Sequence, residues 1–518
     1  MSNELASSVP VQYSVTSDMQ LGLKPSAPKS SSKRVSIAPS NKSVFSPQDV
    51  IMFDIPTGRP GSWLDQSQTY LKFSVQFQTT NASNASSSVY QSTTSGGVHL
   101  DNTAYSFFQR LEVYNGSNQL EIINQYGQLC NYLIDSQLST ADKAGLSPMI
   151  GSNTYGISVL NARTASIAQY SQTLTTQYPG DRSGLAVTAI ATANGVFTNA
   201  PSYTFSLPIM SACIGVNSSK MLPLKDLSAP INVQFVLSMN DDAIVYGAGG
   251  NATSWQIVNA ELVCCFVEID DDRFNVSDRT IPQYISSKSY RYASYTIPAN
   301  SVGQLDILVP IRASSLTQLI TRFRNKANAV QGANATCAYR LSSSVSPNLS
   351  SYQWRISDRL FPQKPVYLYN GSNGTLVGSA GEACAELSKS FHAIGSTICN
   401  GSISHDMYNV AVSALGNVLP AYKPNGSAGT VYNPVGPVLD VLPTYDTWGN
   451  AFSIAQELEI FSNRNDTILC GVDTRGGNPI VLSLVIASTI GAGSIVADTF
   501  GQFDVIFKIE QGQMSAQF

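Results

Sequence analysis

The chain has 518 residues, of which 43% are hydrophobic and only 12% are charged, and its formal net charge is −4. This length exceeds what one hydrophobic core usually serves, and the hydrophobic content excludes a globally disordered chain. The slightly negative net charge argues against a surface built to coat nucleic acid. The first residues, MSNELASSVPVQYSV, contain no basic stretch followed by an apolar one, so we expect no secretory signal.

Residues 1–46 are expected to form an extended basic arm outside the folded core. The stretch between Met19 and Pro47 is rich in Pro and Ser and has five basic residues and no acidic one. We interpret the arm as a contact with a neighbouring subunit or with nucleic acid; composition alone fits a flexible tail equally well. Five cations attract a polyanion only weakly and in a salt-sensitive way, so protein contacts are the expected main role. The basic residues are Lys24, Lys29, Lys33, Arg34 and Lys42.

Apolar and polar residues alternate along much of the chain with the period of a half-buried β-strand. The segments 70–77 (YLKFSVQF), 231–239 and 503–510 all have this pattern, which is typical of antiparallel sheets with one face in a core. The apolar stretch 481–497 is rich in β-branched residues and is shorter than a membrane span. We interpret it as two buried strands around a glycine turn, so no membrane span is expected.

Helices are expected to be few. Apolar residues recur at spacings of three and four in 121–135 and, over a shorter distance, in 381–394. A long loop rich in small and polar residues follows each of them, at 138–201 and 396–449.

The pentapeptide YNGSN occurs at 114–118 and again at 369–373. Both copies follow a strand-like run, and Asn-Gly is a preferred centre of a two-residue hairpin. Further matches keep the same order in both halves, so we predict a duplication with the two pentapeptides at equivalent turns. The matched pairs are Ile55-Pro56 with Ile297-Pro298, Leu71 with Leu305, Cys130 with Cys384, Ile231 with Ile480, and the closing strands 262–269 and 503–510.

Together these patterns predict an all-β fold of two tandem eight-stranded jelly rolls, a double jelly roll, with a few short decorating helices. Each jelly roll would place two sheets face to face around its own core. We place the first jelly roll at 47–278 and the second at 279–518, after the arm at 1–46.

Residue types that carry catalysis or bind transition metals are scarce. His99, His392 and His405 have no ligand-pair spacing, and the chain has no hydrolase or nucleotide-binding motif. The eight cysteines form no CxxC pair and are interpreted as buried free thiols rather than disulfides. We therefore expect no enzymatic activity, no catalytic residue and no cofactor.

The acidic run Asp270, Asp271 and Asp272 is the best candidate for a hard cation, because Ca²⁺ takes several carboxylate oxygens. The run lacks the spaced Asp/Asn-Gly pattern of a calcium-binding loop. We favour a solvated or arginine-paired turn, with Arg273 and Arg279 as partners, over a metal site.

Three stretches carry a resemblance to a known family: FDIPTGRPGSWLDQSQTYLKFSVQF (53–77), LDILVPIRASSL (305–316) and QELEIFSNRNDTILCGVDTRG (456–476). They resemble the double jelly-roll major capsid proteins of polinton-like viruses, adintoviruses and virophages, which are related to adenovirus hexon and giant-virus capsid proteins. None of the three stretches is a catalytic motif, and no functional residue carries over, because the function of that family is a shape.

The resemblance implies a major capsid protein of the virion, with the two jelly rolls upright and side by side. It implies a homotrimer that forms a pseudo-hexagonal capsomer, and capsomers that tile an icosahedral shell around double-stranded DNA. Partners would be neighbouring capsomers and a penton or minor capsid protein, with weak nonspecific contact between the arm and packaged DNA. The loops at 138–201 and 396–449 would rise as towers at the outer end.

Two other function classes stay open at this stage. A tandem β-sandwich that binds carbohydrate, such as an adhesin, would explain the 24 Tyr and 20 Phe residues. A glycoside-processing enzyme would need a carboxylate pair in a cleft. Both classes are normally secreted, and the sequence contains no recognisable signal, so the capsid interpretation leads.

Overall fold

The computed structural model describes residues 28–79, 98–100, 102–138, 142, 146, 149–151, 202–215, 220–246, 253–270, 282–325, 344, 347, 349–368, 381–391, 430–431, 439–440, 452–460, 469–476, 479–487 and 494–518. Most of the elements in these residues are β-strands. Among the same residues, no helix is long and apolar enough to cross a membrane.

The strands of the first half are β1 (Ser30–Ile37), β2 (Val44–Phe45), β3 (Val50–Ile55), β4 (Ser62–Thr79), β5 (Val98–Leu100), β6 (Phe108–Asn115), β7 (Asn118–Asn124), β8 (Ser202–Pro208), β9 (Ile231–Leu237), β10 (Ile244–Tyr246) and β11 (Thr253–Ile269). The helices of this half are α1 (Tyr126–Gln137) and α2 (Asn240–Ala243), with 3₁₀ turns at Ala104–Phe107 and Leu224–Asp226.

The strands of the second half are β12 (Gln283–Ile297), β13 (Gly303–Val309), β14 (Leu316–Asn325), β15 (Leu349–Ile356), β16 (Arg359–Tyr367), β17 (Thr430–Val431), β18 (Leu439–Asp440), β19 (Ser453–Glu457), β20 (Ile480–Ile486), β21 (Ile495–Glu510) and β22 (Gln513–Gln517). Its described helix is α3 (Gly381–Ser390).

The two-residue periodicity of the sequence becomes burial on one face of each sheet. In β9 the apolar residues Ile231, Val233, Phe235 and Leu237 are buried, while the residues between them keep part of their surface exposed. Because successive side chains of a strand point to opposite faces, this strand covers a core with one face only.

Aromatic rings fill the core of the first half. The ring of Phe73 packs against Phe107, Phe108 and Phe205 at centroid distances of 6.2, 5.2 and 5.8 Å, and Trp255 lies 4.8 Å from Phe107. These edge-on and tilted arrangements are the ones that aromatic rings prefer.

The second half has its own core. Phe323 and Phe452 are fully buried, with their ring centroids 6.0 Å apart, and Trp354 is fully buried as well. The buried hydrophobic residues of both halves belong to one continuous cluster, so the two units pack against each other.

The sheets of the two halves have the same strand order. In the first half the orders are β1-β11-β4-β8 and β3-β9-β6-β7; in the second half they are β12-β21-β14-β19 and β13-β20-β15-β16. In each half, the eight strands on these two paths can be lettered B to I in chain order. Both halves then have the sheets B-I-D-G and C-H-E-F. This is the order of a jelly roll, so the chain is a double jelly roll, as the sequence predicted.

Strand F lies at an edge of its sheet in both halves. In the second half it is β16, which pairs only with β15 and contains Pro362 and Pro365. Proline cannot donate to a central ladder, and the edge position explains why two prolines are tolerated here.

The matches predicted for the later elements of each half, the helix and the last strands, are confirmed. Ile231 and Ile480 each begin strand H, the closing strands β11 and β21 are both strand I, and the helices α1 and α3 both follow strand F. The apolar stretch 481–497 contains parts of β20 and β21, as predicted. Residues 488–493, between the two strands, lie outside the described residues.

The matches predicted for the first strands of each half are wrong by one strand. Ile55 ends β3, which is strand C, whereas Ile297 ends β12, which is strand B. Leu71 lies in β4, strand D, whereas Leu305 lies in β13, strand C. The strands resemble one another because they share a binary pattern, and that pattern alone does not identify which strand is which.

The two pentapeptides are not at equivalent turns. The first copy joins β6 to β7, strands E and F, with Asn115 paired to Asn118. The second copy, at 369–373, comes after β16, strand F, and lies outside the described residues. The turn that corresponds to the first copy is Ser357-Asp358, between β15 and β16. The duplication is therefore real, but the repeated pentapeptide does not mark it.

The boundary of the predicted arm is also wrong. Residues 30–37 form β1, which pairs antiparallel with β11 from Ser30↔Ile269 to Ile37↔Leu262. Since β1 is strand B, the first jelly roll includes residues that we had placed in the arm at 1–46. The predicted division at 278 falls between β11 and β12, in residues 271–281, which lie outside the described residues.

The predicted helix at 121–135 begins later than expected. Residues 118–124 pair with β6 as a strand, and Gln125, with a φ of 53°, separates that strand from α1. In the second half, α3 ends at Ser390. Nearly all of the two predicted tower loops, 138–201 and 396–449, lies outside the described residues.

Candidate interaction interface

The basic residues predicted for the arm are paired on the surface of the first jelly roll. Lys29 Nζ lies 2.8 Å from Asp270 Oδ2, and Lys33 Nζ lies 2.7 Å from Glu268 Oε1. The hydrogen bond from Lys29 lowers the pKa of Asp270, and the one from Lys33 lowers the pKa of Glu268. Glu268 lies near the end of β11 and Asp270 directly follows that strand, which runs beside β1, so sheet pairing brings these opposite charges together.

The other arm cations also have local partners. Lys42 Nζ lies 2.9 Å from Asp49 Oδ1, and the guanidinium of Arg34 lies 5.3 Å from the ring centroid of Tyr70. Lys24 lies outside the described residues. The four described cations therefore do not form a free basic patch, and exposed ion pairs of this kind contribute little to stability.

The remaining predicted site residues do not form a reactive centre in the described part of the chain. His99 belongs to β5, while His392 and His405 lie outside the described residues. Asp270 is paired with Lys29. Its predicted partners Arg273 and Arg279 lie outside the described residues, together with Asp271 and Asp272. In the ranges given above, no cluster of three His, Cys, Asp or Glu side chains could hold a metal ion.

Six of the eight cysteines lie in the described residues, and all six are free thiols. Burial raises the pKa of the Cys130 and Cys213 thiols and raises that of Cys264 to about 12. A thiol is nucleophilic only as the thiolate, so these buried groups serve packing rather than chemistry.

A buried polar site lies between the two jelly rolls, and the sequence did not predict it. Helix α1 of the first half contacts strands D and G of the second. Arg322 of β14 is fully buried; its Nη1 donates to Gln128 Oε1 at 3.3 Å, and its guanidinium lies 5.9 Å from the ring centroid of Tyr132. The hydroxyls of Tyr132 and Ser453, on β19, are 2.6 Å apart.

A buried carboxylate adds a second contact between the halves. Glu121 of β7 accepts hydrogen bonds from the hydroxyl of Ser211 and from the amides of Ala212, at 3.0 Å, and Cys213, at 3.4 Å. It also accepts one from the hydroxyl of Ser289, on β12 of the second half, at 2.5 Å. Burial raises the pKa of Glu121, and these hydrogen bonds oppose that rise.

A third contact is made by β22. Met514 N donates to Asn115 Oδ1 at 2.9 Å, and Asn118 Nδ2 donates to Met514 O at 3.2 Å. The side chain of Met514 is fully buried. The three contacts follow one another along the first half: the turn before β7, then β7 itself, then α1.

The two equivalent helices differ in how much of their surface is covered. In α1, eleven of twelve residues are buried, because the helix lies between its own jelly roll and the second half. In α3 only four of ten residues are buried: Ala383, Glu386, Leu387 and Ser390. In the described part of the chain, α3 therefore lacks the second partner that α1 has.

The B-I-D-G sheet of the first half has one polar face. Its strands carry a polar ladder on the face opposite the core residues Leu71, Phe73 and Val75. Part of this ladder is exposed: the Lys72 and Glu261 side chains are 39% and 35% exposed. The ladder consists of the pairs Lys72–Glu261 at 3.1 Å, Ser74–Thr204 at 2.8 Å and Gln76–Gln256 at 2.6 Å.

No protein-family model and no curated protein matches the chain. Solved structures do. The chain is similar to the cryo-EM structure of the Sputnik virophage, with 13% identity, a TM-score of 0.54, and coverage of 98% of this chain and 93% of that chain. It is similar to the quasi-atomic model of the PBCV-1 virus capsid, with 10% identity, a TM-score of 0.51 and coverage of 96% and 98%.

A third similar structure is the crystal structure of the mavirus major capsid protein, with 10% identity, a TM-score of 0.50 and coverage of 98% and 95%. At these identities the likeness is one of fold. The matches span 96–98% of the chain, and the double jelly-roll fold expected from the family resemblance is confirmed.

Proposed function

We propose that the chain is the major capsid protein of an icosahedral double-stranded DNA virus and acts as a structural tile in the virion. The observation that carries the proposal is the identical B-I-D-G and C-H-E-F strand order of two halves joined by buried contacts. The fold similarity to three virus structures over 96–98% of the chain supports it. The role is structural rather than enzymatic.

In this proposal three copies form a ring of six jelly rolls, in which first and second halves alternate. A head-to-tail interface closes into a ring when its rotation allows, and the two similar halves let one kind of contact recur. The contact within the chain places α1 on strands D and G of the second half. The contact between copies would place α3 on strands D and G of the first half, β4 and β8, where the polar ladder lies.

The proposed partners beyond the trimer are neighbouring capsomers and a penton or minor capsid protein. Contact with packaged DNA would be a minor role of the N-terminal segment, because Lys29, Lys33 and Lys42 already have acidic partners.

The carbohydrate-binding alternative has less support. Its sequence cue was the aromatic content, and much of that content is explained by packing. Phe73, Phe107, Trp255 and Trp354 are fully buried and cannot stack on a sugar.

The mass of the purified protein in solution tests the trimer. Light scattering after size exclusion, at assembly concentration and ionic strength, should give three times the 55.4 kDa chain mass. A stable monomer under these conditions would count against the proposed function.

A pair of variants tests the proposed contact. Ala385→Arg places a long charged side chain on the partly exposed face of α3 and should yield folded monomers. Asp306→Arg makes a similar change on the exposed face of β13, which the proposed contact does not use, and should leave trimers intact. Equal effects of the two changes would show that α3 has no special role.

A further inference from the structure

The last hairpin of the chain is shaped to reach across to the other half. Strands β21 and β22 pair through Glu510↔Gln513, and the two residues between them, Gln511 and Gly512, have φ values of 52° and 81°. Two positive φ values in a two-residue loop are the requirement of a type I′ turn. A Cβ on Gly512 would lie 3.0 Å from Ser228 Oγ, so glycine also permits the close approach to the first half.

The main chain of this hairpin is bound by the first half at two points. Ser228 donates to the carbonyl of Gly512 from both its amide and its hydroxyl, each at 2.8 Å. At Met514 the side chains of Asn115 and Asn118 bind the amide and the carbonyl of a single residue. Two side-chain amides thus give β22 the donor and acceptor that a neighbouring strand would supply.

The turn is itself held in place for this contact. Asn115 is 2% exposed, and while its Oδ1 accepts from Met514 its Nδ2 donates to Ala229 O at 2.8 Å. Asn118 closes the same turn from the other strand. Ser357-Asp358, the corresponding turn of the second half, has no pair of asparagines.

The far end of β22 is anchored on the second half. The guanidinium of Arg291 lies 5.0 Å from the ring centroid of Phe503 and 4.6 Å from that of Phe518. Together with the β21–β22 ladder, this stack fixes the hairpin to the second jelly roll while Met514 is bound by the first. The hairpin therefore spans the joint between the halves.

We propose that the first YNGSN turn, Tyr114–Asn118, is a docking site for a β-strand and that β22 of the same chain occupies it. This contact between the turn and β22, the latch, sets the orientation of the two jelly rolls. The contacts between the two jelly rolls then include the turn that precedes β7, as well as β7 itself and α1. This assignment gives the first copy of the pentapeptide a role in the contact between the halves. The inference concerns the single chain and does not depend on the capsid role.

Hydrogen exchange on the full-length protein tests the docking. The double variant Asn115→Ala, Asn118→Ala should speed exchange of the amides of residues 513–517 about tenfold or more, because two hydrogen bonds that hold β22 are lost. The matched control is Asn370→Ala, Asn373→Ala in the second copy of the same pentapeptide, which should leave this exchange unchanged.

A second variant keeps the test valid if the asparagine changes disturb the first jelly roll. Gly512→Ala alters only the hairpin, where a side chain is strained and crowded, and should also speed exchange in 513–517. Small-angle scattering should then show a broader distribution of interatomic distances in both latch variants than in the control.

Three results would overturn the proposal. The first is unchanged exchange of 513–517 in both latch variants. The second is faster exchange with no change in the scattering, which would show that β22 does not set the orientation. The third is protection of 513–517 that falls on dilution of the wild-type protein, which would mean that a second copy supplies the strand.

Discussion

Glu121 is a carboxylate buried between two jelly rolls, where ionisation is costly unless hydrogen bonds compensate. Its oxygens accept from two serine hydroxyls and two amides, and one of those serines, Ser289, comes from the other half. The contact between the halves at this point therefore depends on whether the carboxyl of Glu121 is protonated. A strand pattern in the sequence cannot reveal this, because its partners are distant in the chain.

We expect Glu121→Gln to change how stability depends on pH. Burial raises the pKa of Glu121 in the folded protein above its value in the unfolded chain. The stabilisation from the protonated form is therefore present at low pH and is lost as pH rises toward the folded pKa. Glutamine resembles the protonated form and does not titrate, so the melting temperature of the variant relative to wild type should be higher at pH 7.5 than at pH 4.5.

Thermal denaturation of both proteins at the two pH values measures this difference. Glu121→Ala is the companion variant; it leaves the amide of Ala212 without its acceptor and should lower the stability by about 1–3 kcal/mol. The amide of Cys213 keeps an acceptor, Ser211 Oγ at 3.1 Å. A pH-independent difference between wild type and Glu121→Gln would contradict the role assigned to burial.

The histidines give a second residue-scale prediction. We expect the triple variant His99→Gln, His392→Gln, His405→Gln to fold and assemble like the wild type, because the proposed function needs a shape rather than a proton carrier. Electron microscopy of the assembled variant, with its melting temperature as a control for folding, checks this. Normal folding with no assembly would reveal a histidine role that the account lacks.

At the scale of elements, the sequence predicted strands that cover a core and missed those defined by distant partners. The alternation of buried and partly exposed residues in β9 was sufficient to predict this strand, because its buried residues all face one core. Strand β1 was taken for an arm because it is mostly exposed and Val35 and Ile37 are its only large apolar residues. Its identity as strand B depends on pairing with β11, more than 200 positions away in the chain.

Two deletions separate the arm from the strand. Removing residues 1–27 should leave both jelly rolls intact, because β1 begins at Ser30. Removing residues 1–40 deletes strand B and exposes the edge of β11, so the first jelly roll should lose stability, with the melting temperature falling by about 2–4 °C for each kcal/mol lost. If residues 1–46 were an arm outside the core, as the sequence alone predicts, the longer deletion would leave the fold intact; the pairing of β1 with β11 makes that interpretation wrong.

Differential scanning fluorimetry of the two truncated proteins, with hydrogen exchange of residues 262–269, makes the comparison. Equal melting and equal protection of β11 in the two proteins would contradict the assignment of β1 as strand B. Impaired assembly of the shorter truncation, despite normal melting, would assign residues 1–27 to contacts between capsomers.

In the molecule as a whole, the proposed trimer depends on an asymmetry between two similar halves. Helix α1 is covered by the second half, whereas α3 keeps much of its surface uncovered in the described part of the chain. The sequence predicted the two halves and the helix in each, since each leaves a local pattern. It could not predict which helix is covered, because Arg322 and Ser453 reach α1 only in the folded chain.

A cryo-EM reconstruction of the purified protein, computed without imposed symmetry, tests the proposed trimer. We expect a plate with a hexagonal outline in which six jelly rolls alternate between first and second halves. We also expect α3 of each copy to lie on β4 and β8 of the next. A monomer, or a ring in which like halves are neighbours, would contradict the proposed trimer.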